Sequence, residues 1–314
     1  PIITDIFAFI MKFISSMITS NFGLSIIIFA IVTKTLMFPL QLKSKKGILD
    51  QQRIAPKTAA LEKKYKGNKQ KYTEEVQKLY KEEGISLFGG CLPSLLMIVM
   101  VFGLYGVVYK PVTYLMGQNK ETTVVVAQKL VEMYDAGTYN DETGKGDGWI
   151  TTLKAQVESG KLNEINLAQA LKGNTKALAD EFPGLFEIDF MFLGLDLGDM
   201  PTYNPMNLLV ILPILSAVSA YAMSRITQKS NKISGSAAAE SAAKSANTMM
   251  YIMPIMSLVI GFALPAGVTL YWIVNNILSG VQEPILINVA RARYVKEPSK
   301  PDKSPENKGE AIDE

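Results

Sequence analysis

The stretch SANTMMYIMPIMSLVIGFALPAGVTLYWIVNNILSGVQ, residues 245–282, contains no Asp, Glu, Lys or Arg. A helix rises about 1.5 Å per residue, so a hydrocarbon core of about 30 Å takes about 20 apolar residues to cross. Thirty-eight uncharged residues are enough for two crossings. Leu264-Pro265-Ala266-Gly267 interrupts the run, and proline with glycine punctuates a helix. The stretch therefore predicts a membrane hairpin, with one span over 249–266 and the next over 268–289.

Upstream, residues 200–224 and 84–109 are also free of charge. They predict spans over 207–226 and 87–110. A further apolar run near the N-terminus predicts a first span over 22–42, interrupted by a single charge, Lys34. The expected fold is therefore all-α, a polytopic membrane protein with five transmembrane helices.

Lysine and arginine in the connecting loops set the orientation. Residues 41–86 hold 12 basic and 6 acidic residues, whereas 110–206 hold 8 basic and 14 acidic. The first segment is expected in the cytoplasm and the second outside. The 227–248 loop and Arg291, Arg293 and Lys296 add basic charge on the cytoplasmic side. All five spans then agree with N-terminus out and C-terminus in.

The rest of the composition narrows the function classes. The chain has 314 residues, 48% of them hydrophobic, with charges segregated into a few stretches. A net charge of +3 is too small to point to nucleic acid. There is no histidine, which removes the commonest general base and metal ligand. No G-x-x-x-x-G-K-[ST] loop cradles a phosphate, and the single cysteine forms no internal disulfide. No cofactor, no metal and no catalytic set are expected.

The soluble parts read as follows. Residues 1–21 hold Phe7, Met11, Ile14 and Ile18 at helical spacing. They either lie flat in the outer interface or extend the first span. Residues 43–86 read as a cytoplasmic helical hairpin turning at Gly67-Asn68, with apolar stripes Ile54, Thr58, Leu61, Tyr65 and Tyr72, Val76, Leu79. Pro56 is expected to kink or restart its first helix. Lys57, Lys63 and Lys64 form either a solvated face or a basic surface for anionic lipid heads or a ribosome. Residues 111–206 predict helices near 122–135, 149–159, 163–172 and 174–182, with no visible site. The apolar run 190–197, FMFLGLDL, is expected to pack on the membrane face. The tail 290–314, rich in proline and charge beyond 296, is expected to be disordered.

Polar residues inside the spans are the candidate site, because charge within a bilayer is costly. Lys34 lies about 18 Å from Phe22 at the helical rise, in the cytoplasmic half of its span. It either snorkels to the inner headgroups or lines a water-filled cavity open to the cytoplasm. On the last span Asn276, Ser279 and Glu283 share a face, flanked by Asn275 and Gln282. Their roles divide between helix–helix bonding and the lining of a polar path.

In order along the chain, these features resemble the YidC-type membrane protein insertases, in their Gram-positive-like five-span form. The resemblance rests on Gly23-Leu24-Ser25-Ile26-Ile27 with Lys34 and Pro39-Leu40, and on Gly84 with Gly89-Gly90-Cys91-Leu92-Pro93. It continues through Met253-Pro254, Leu264-Pro265-Ala266-Gly267, Leu270-Tyr271-Trp272, Asn275-Asn276 and Gln282. It covers about 22–110 and 190–290, and Pro56 within the hairpin also agrees. The resemblance implies an insertase and chaperone in a bacterial plasma membrane. Its partners would be nascent membrane proteins and membrane lipids, with the ribosome and the Sec translocon, and no direct contact with nucleic acid. It further implies a hydrophilic inner-leaflet groove holding one basic residue of the first span. That residue is usually arginine, and the matching position here is Lys34. Asn275, Asn276, Gln282 and Trp272 would line the groove with it. Of the rivals, a small-solute transporter would favour inverted repeats, which are not visible. An intramembrane protease would need a catalytic set that the chain lacks.

Overall fold

The computed structural model describes residues 2–85, 103, 105–203, 206–230 and 251–294. The body of the second predicted span, its Gly89-Gly90-Cys91-Leu92-Pro93 entry, most of the 227–248 loop and the tail beyond 294 lie outside the described residues. So do Met249 and Met250 of the fourth span.

The described chain is mostly helical. Helix α1, Ile2–Phe13, passes into a π-helical turn at Ile14–Ile18. Thr19 is extended (φ −159°) and separates α1 from α2, Phe22–Lys64, so the N-terminal segment is not a straight continuation of the first span. Phe7, Met11 and Ile14 of the expected stripe are buried, and Phe7 meets Phe29 of α2 edge to face at 5.3 Å. Ile18 is exposed, and Ile6, Phe9, Phe13 and Met17 form a second, exposed apolar stripe.

α2 spans 43 residues, about 64 Å at the helical rise. The helix runs on through residue 43 without a break, so the residues expected as the first span and the first hairpin helix form one continuous helix. Pro56 does not restart it. A proline in mid-helix removes one N–H from the ladder, and the bonds on either side hold the helix together. At Gly67 the φ of 97° turns the chain, and Asn68 caps α3, Lys69–Glu82, by accepting from Lys71 N at 3.1 Å. Ile54 of the first stripe is buried, while Tyr72, Val76 and Leu79 of the second are half-buried.

The segment expected outside, termed outer for that expectation, begins with α4, Pro111–Tyr114, followed by α5, Lys120–Asp135; α6, Asp147–Glu158; α7, Glu164–Ala170; and α8, Thr175–Leu178. α5 to α8 match the four predicted helices, with the last two shorter. Val126, Leu130, Ile150, Leu153 and Leu167 close a water-type core beneath them. Asn174 is buried and ties this core to the preceding loop. It accepts from Asn140 N at 2.9 Å and donates to Asn140 O at 2.8 Å and Ala170 O at 3.2 Å.

The apolar run 190–197 forms a two-stranded hairpin within an otherwise helical fold. Strand β1, Met191–Phe192, pairs antiparallel with β2, Leu195–Asp196, across the Leu193-Gly194 turn. A short 3₁₀ turn, Leu208–Val210, then leads into α9, Ile211–Ser230. Next come α10, Tyr251–Ala263, and α11, Ala266–Tyr294. α11 packs along both α2 and α9. A Cβ at Gly261 of α10 would lie 3.1 Å from Pro213 of α9, so this glycine permits a close helix approach.

Among the described residues, Phe22–Lys64 and Leu208–Ser230 are long and apolar enough to cross a membrane, and Tyr251–Ala263 is apolar but shorter. α11 is long enough but carries a polar face. The apolar side chains of these helices are largely on the outside: Leu36, Val218, Ile255 and Val281 are all exposed. A soluble bundle would bury that surface, whereas a bilayer covers it.

Candidate functional site

The site is the interface of α2 and α11, helices that run in the same direction. Their N-termini are fixed by one structure, the β1–β2 hairpin with its flanks. Phe22 N donates to Asp189 O at 2.8 Å, and Asn21 caps α2 by accepting from Leu24 N at 3.1 Å. On the other helix Gly267 N donates to Leu197 O, and Ala266 N to Asp199 O, each at 2.9 Å. First-turn N–H groups have no partner within a helix, so loop carbonyls here satisfy two helices at once. Phe192 of the hairpin lies against Gly23, where a Cβ would run into the ring.

From this end the two helices present polar groups at matching depth. Lys34 is 12 residues into α2 and Ser279 is 13 into α11, about 18 and 20 Å along their axes. Lys34 Nζ donates to Ser279 Oγ at 2.5 Å. Gln282 Nε2 donates to the carbonyl of Lys34 at 3.4 Å, while Gln282 Oε1 is buried with no partner among the described residues. Further along, Lys45 donates to Glu283 in an ion pair whose two side chains are 9% and 7% exposed. A buried charge without its partner is strongly unfavourable, so each of these residues requires the other.

The same polar layer continues into α9 and α10. Asn276 Nδ2 donates to Ser219 Oγ at 3.1 Å, and Ser216 and Ser257 share a buried hydroxyl bond at 2.5 Å. Trp272, Asn276, Ser279 and Glu283 follow i, i+4, i+7, i+11, one face of α11. Asn276 and Glu283 are buried, and Trp272, Asn275 and Ser279 are half-buried.

The structure thus brings Lys34, Asn276 and Gln282 into one layer, with Asn275 and Trp272 on or beside the same face. Sequence reasoning missed Lys45, which looked like one more lysine of the cytoplasmic cluster. The available signal was spacing: Lys34 and Lys45 are 11 residues apart, about three turns, and so share a face of α2.

At the hairpin Lys57 is exposed but donates to Glu83, which also meets Arg53 at 3.3 Å. That bond from Lys57 holds the Glu83 carboxyl below its ordinary range. Lys63 and Lys64 are exposed, the latter 5.4 Å from the Tyr65 ring centroid. In the outer segment Lys145 bonds Asp196 at 2.9 Å and Asp199 at 2.6 Å and sits over Trp149. The recess beside it has room for about 40 Å³, enough for a water and little more. No group of three or more His, Cys, Asp or Glu suited to a metal occurs among the described residues.

Comparison with known proteins places this architecture. The chain is 27% identical over 265 residues to a "Membrane protein insertase YidC" of Syntrophobacter fumaroxidans, covering 84% of this chain and 34% of that protein. It is 25% identical over 264 residues to "ALBINO3-like protein 1, chloroplastic" of Arabidopsis thaliana, covering 84% of this chain and 42% of the relative. A "Membrane protein insertase YidC" of Fusobacterium nucleatum is 22% identical over 263 residues, 84% of each chain. The chain therefore spans less than half the length of the first two relatives and most of the third. The family described as 60Kd inner membrane protein matches residues 13–293. With a match over nearly the whole chain, including both helices of the site, this protein belongs to the 60Kd inner membrane protein family.

Proposed function

We propose that this protein inserts transmembrane segments of nascent membrane proteins into a bacterial plasma membrane, through a cationic groove between α2 and α11. The observation that carries the reading is the different fate of two lysines on one face of α2. Lys45 is paired with a carboxylate, Glu283, whereas Lys34 bonds a neutral hydroxyl, Ser279. Lys34 therefore keeps a positive charge that an acidic client segment can use. The names of the relatives support the same function.

The physical task is to carry a short hydrophilic client segment outward while its apolar helix enters lipid. Asn275, Asn276, Gln282 and Trp272 line the path with Lys34, and the buried Gln282 Oε1 is an acceptor for water or client. Lys34 attracts acidic residues of the segment, and Ser279 is displaced as the segment arrives. The client helix then slides into lipid along the apolar faces of α9 and α11. No bond is made or broken. The full topology in this reading is five spans, N-terminus out and C-terminus in, with the α2–α3 hairpin in the cytoplasm. Lys63 and Lys64, with Lys57 beside Glu83, offer that hairpin's basic surface to ribosome or anionic lipid. The Sec translocon is a partner for some clients, and others insert without it.

The test is reconstitution of the full chain into protein-free liposomes with a single-span client. Protease-protected client fragments of the length of the span are expected. Their absence, with the protein correctly incorporated, would overturn the function.

A further inference from the structure

Leu193 stands at the tip of the β1–β2 hairpin with φ 52°, the one non-glycine residue with positive φ among those described. Leucine is poorly suited to that conformation, and its side chain is also 86% exposed. A water-facing turn would favour Asn or Gly at this position. Met191 on β1 and, in the segment after β2, Met200, Tyr203 and Met206 are exposed as well. The hairpin's alternate side chains turn the other way, with Phe190 and Leu197 buried.

Two observations indicate what covers this surface. The first is continuity. Phe192 packs on Gly23, next to Leu24, which is exposed on the first turn of α2. Tyr203 meets Phe262 at the end of α10, with ring centroids 6.3 Å apart. Past Met206 the exposed apolar series runs on through Leu208, Ile211, Leu215 and Val218 along α9. The second is charge. Residues 190–206 contain two charged groups, Asp196 and Asp199, and Lys145 bonds both.

We propose that the hairpin tip, with the Met200–Tyr203–Met206 surface beside it, is immersed in the outer leaflet of the bilayer. The partner is the acyl-chain region of phospholipid, and the hairpin joins the outer ends of α2 and α11 as an anchor below the headgroups. The inference rests on the membrane reading of the helices and not on insertase activity.

The experiment places an environment-sensitive nitrobenzoxadiazole probe on Leu193→Cys in a Cys91→Ser background. The full chain is reconstituted in phosphatidylcholine vesicles with or without lipids spin-labelled near the top of the acyl chain. Lys161→Cys, on the exposed surface of the outer domain, and Val218→Cys, on the exposed face of α9, serve as references. The probe at 193 is expected to emit to the blue of the probe at 161 and to be quenched several-fold more by the spin-labelled lipid, as at 218. Quenching at 218 but not at 193 would overturn the proposal and leave the membrane reading intact. Quenching at neither site would overturn both. Blue emission at 193 without lipid quenching would mean that protein, such as a second copy of the chain, covers the tip, and would also overturn it.

Discussion

The outer domain and the helix bundle are built with opposite polarity. In the outer domain Val126, Leu130, Ile150 and Leu153 are buried and the lysines and carboxylates lie toward the surface, as water requires. In the bundle Leu36, Val218, Ile255 and Val281 face outward, while Thr33, Lys45, Ser216, Asn276 and Glu283 are buried. One chain thus meets two solvents, and the sign of the hydrophobic pattern tells them apart. The difference also locates function. Polar burial in the outer domain is structural, as at Asn174, whereas in the bundle it forms a layer between helices, from α2 across α11 to α9 and α10.

The comparison is broken most severely by placing a carboxylate on the apolar side of each region. Leu153→Asp is expected to unfold the outer domain, at a cost of more than about 4 kcal/mol, and limited proteolysis should then cut within 120–199. Val218→Asp leaves that domain resistant but adds an insertion penalty of up to about 3.5 kcal/mol, read as a lower membrane-integrated yield. If Val218→Asp is harmless, the outward face of α9 is not in lipid.

An effect of similar size is expected at the buried ion pair. Lys45→Met leaves the Glu283 carboxylate unpaired and should cost about 3–5 kcal/mol. Lys45→Met with Glu283→Met should recover most of that loss in a detergent unfolding titration. Equal damage from the single and double variants would mean that the pair is not formed.

The smallest contrast compares one residue type in the two solvents. Asn174→Ala removes buried bonds in a water-type core and should cost about 1–3 kcal/mol. Asn276→Ala removes one bond to Ser219 between membrane helices, where such bonds average about 0.6 kcal/mol. Unfolding midpoints of the two variants check the order, and a reversed order would contradict the two-solvent account.

Much of this was legible in the sequence because lipid imposes long, charge-free runs. Lys34 stood out as the one charge in such a run, and the face of Asn276, Ser279 and Glu283 followed from helical period. The outer helices were legible from amphipathic spacing, each within a few residues. Lys45 was not, because a lysine beside Lys43 and Lys46 looks like a cytoplasmic cluster until Glu283 is placed against it. The β1–β2 hairpin was hidden in an apolar run whose turn, Leu193-Gly194, lacks the usual asparagine. The unbroken α2 was masked by Pro56, a helix breaker by propensity that the surrounding ladder tolerates.

The central claim is that Lys34 acts through a charge available to clients. Two single-span clients that differ only in whether a short outward segment is acidic or neutral test it most directly, with their insertion measured by parent, Lys34→Arg and Lys34→Leu proteins in liposomes. Loss of one charge attraction acting over about 10 Å as the segment approaches, in a medium of effective dielectric about 20, is worth ~1.7 kcal/mol, so Lys34→Leu should slow the acidic client more than tenfold. The neutral client should be little changed, and Lys34→Arg should keep both. A Lys34→Leu protein that inserts both clients as the parent does would contradict the account and reduce Lys34 to a lysine that merely snorkels toward the inner headgroups.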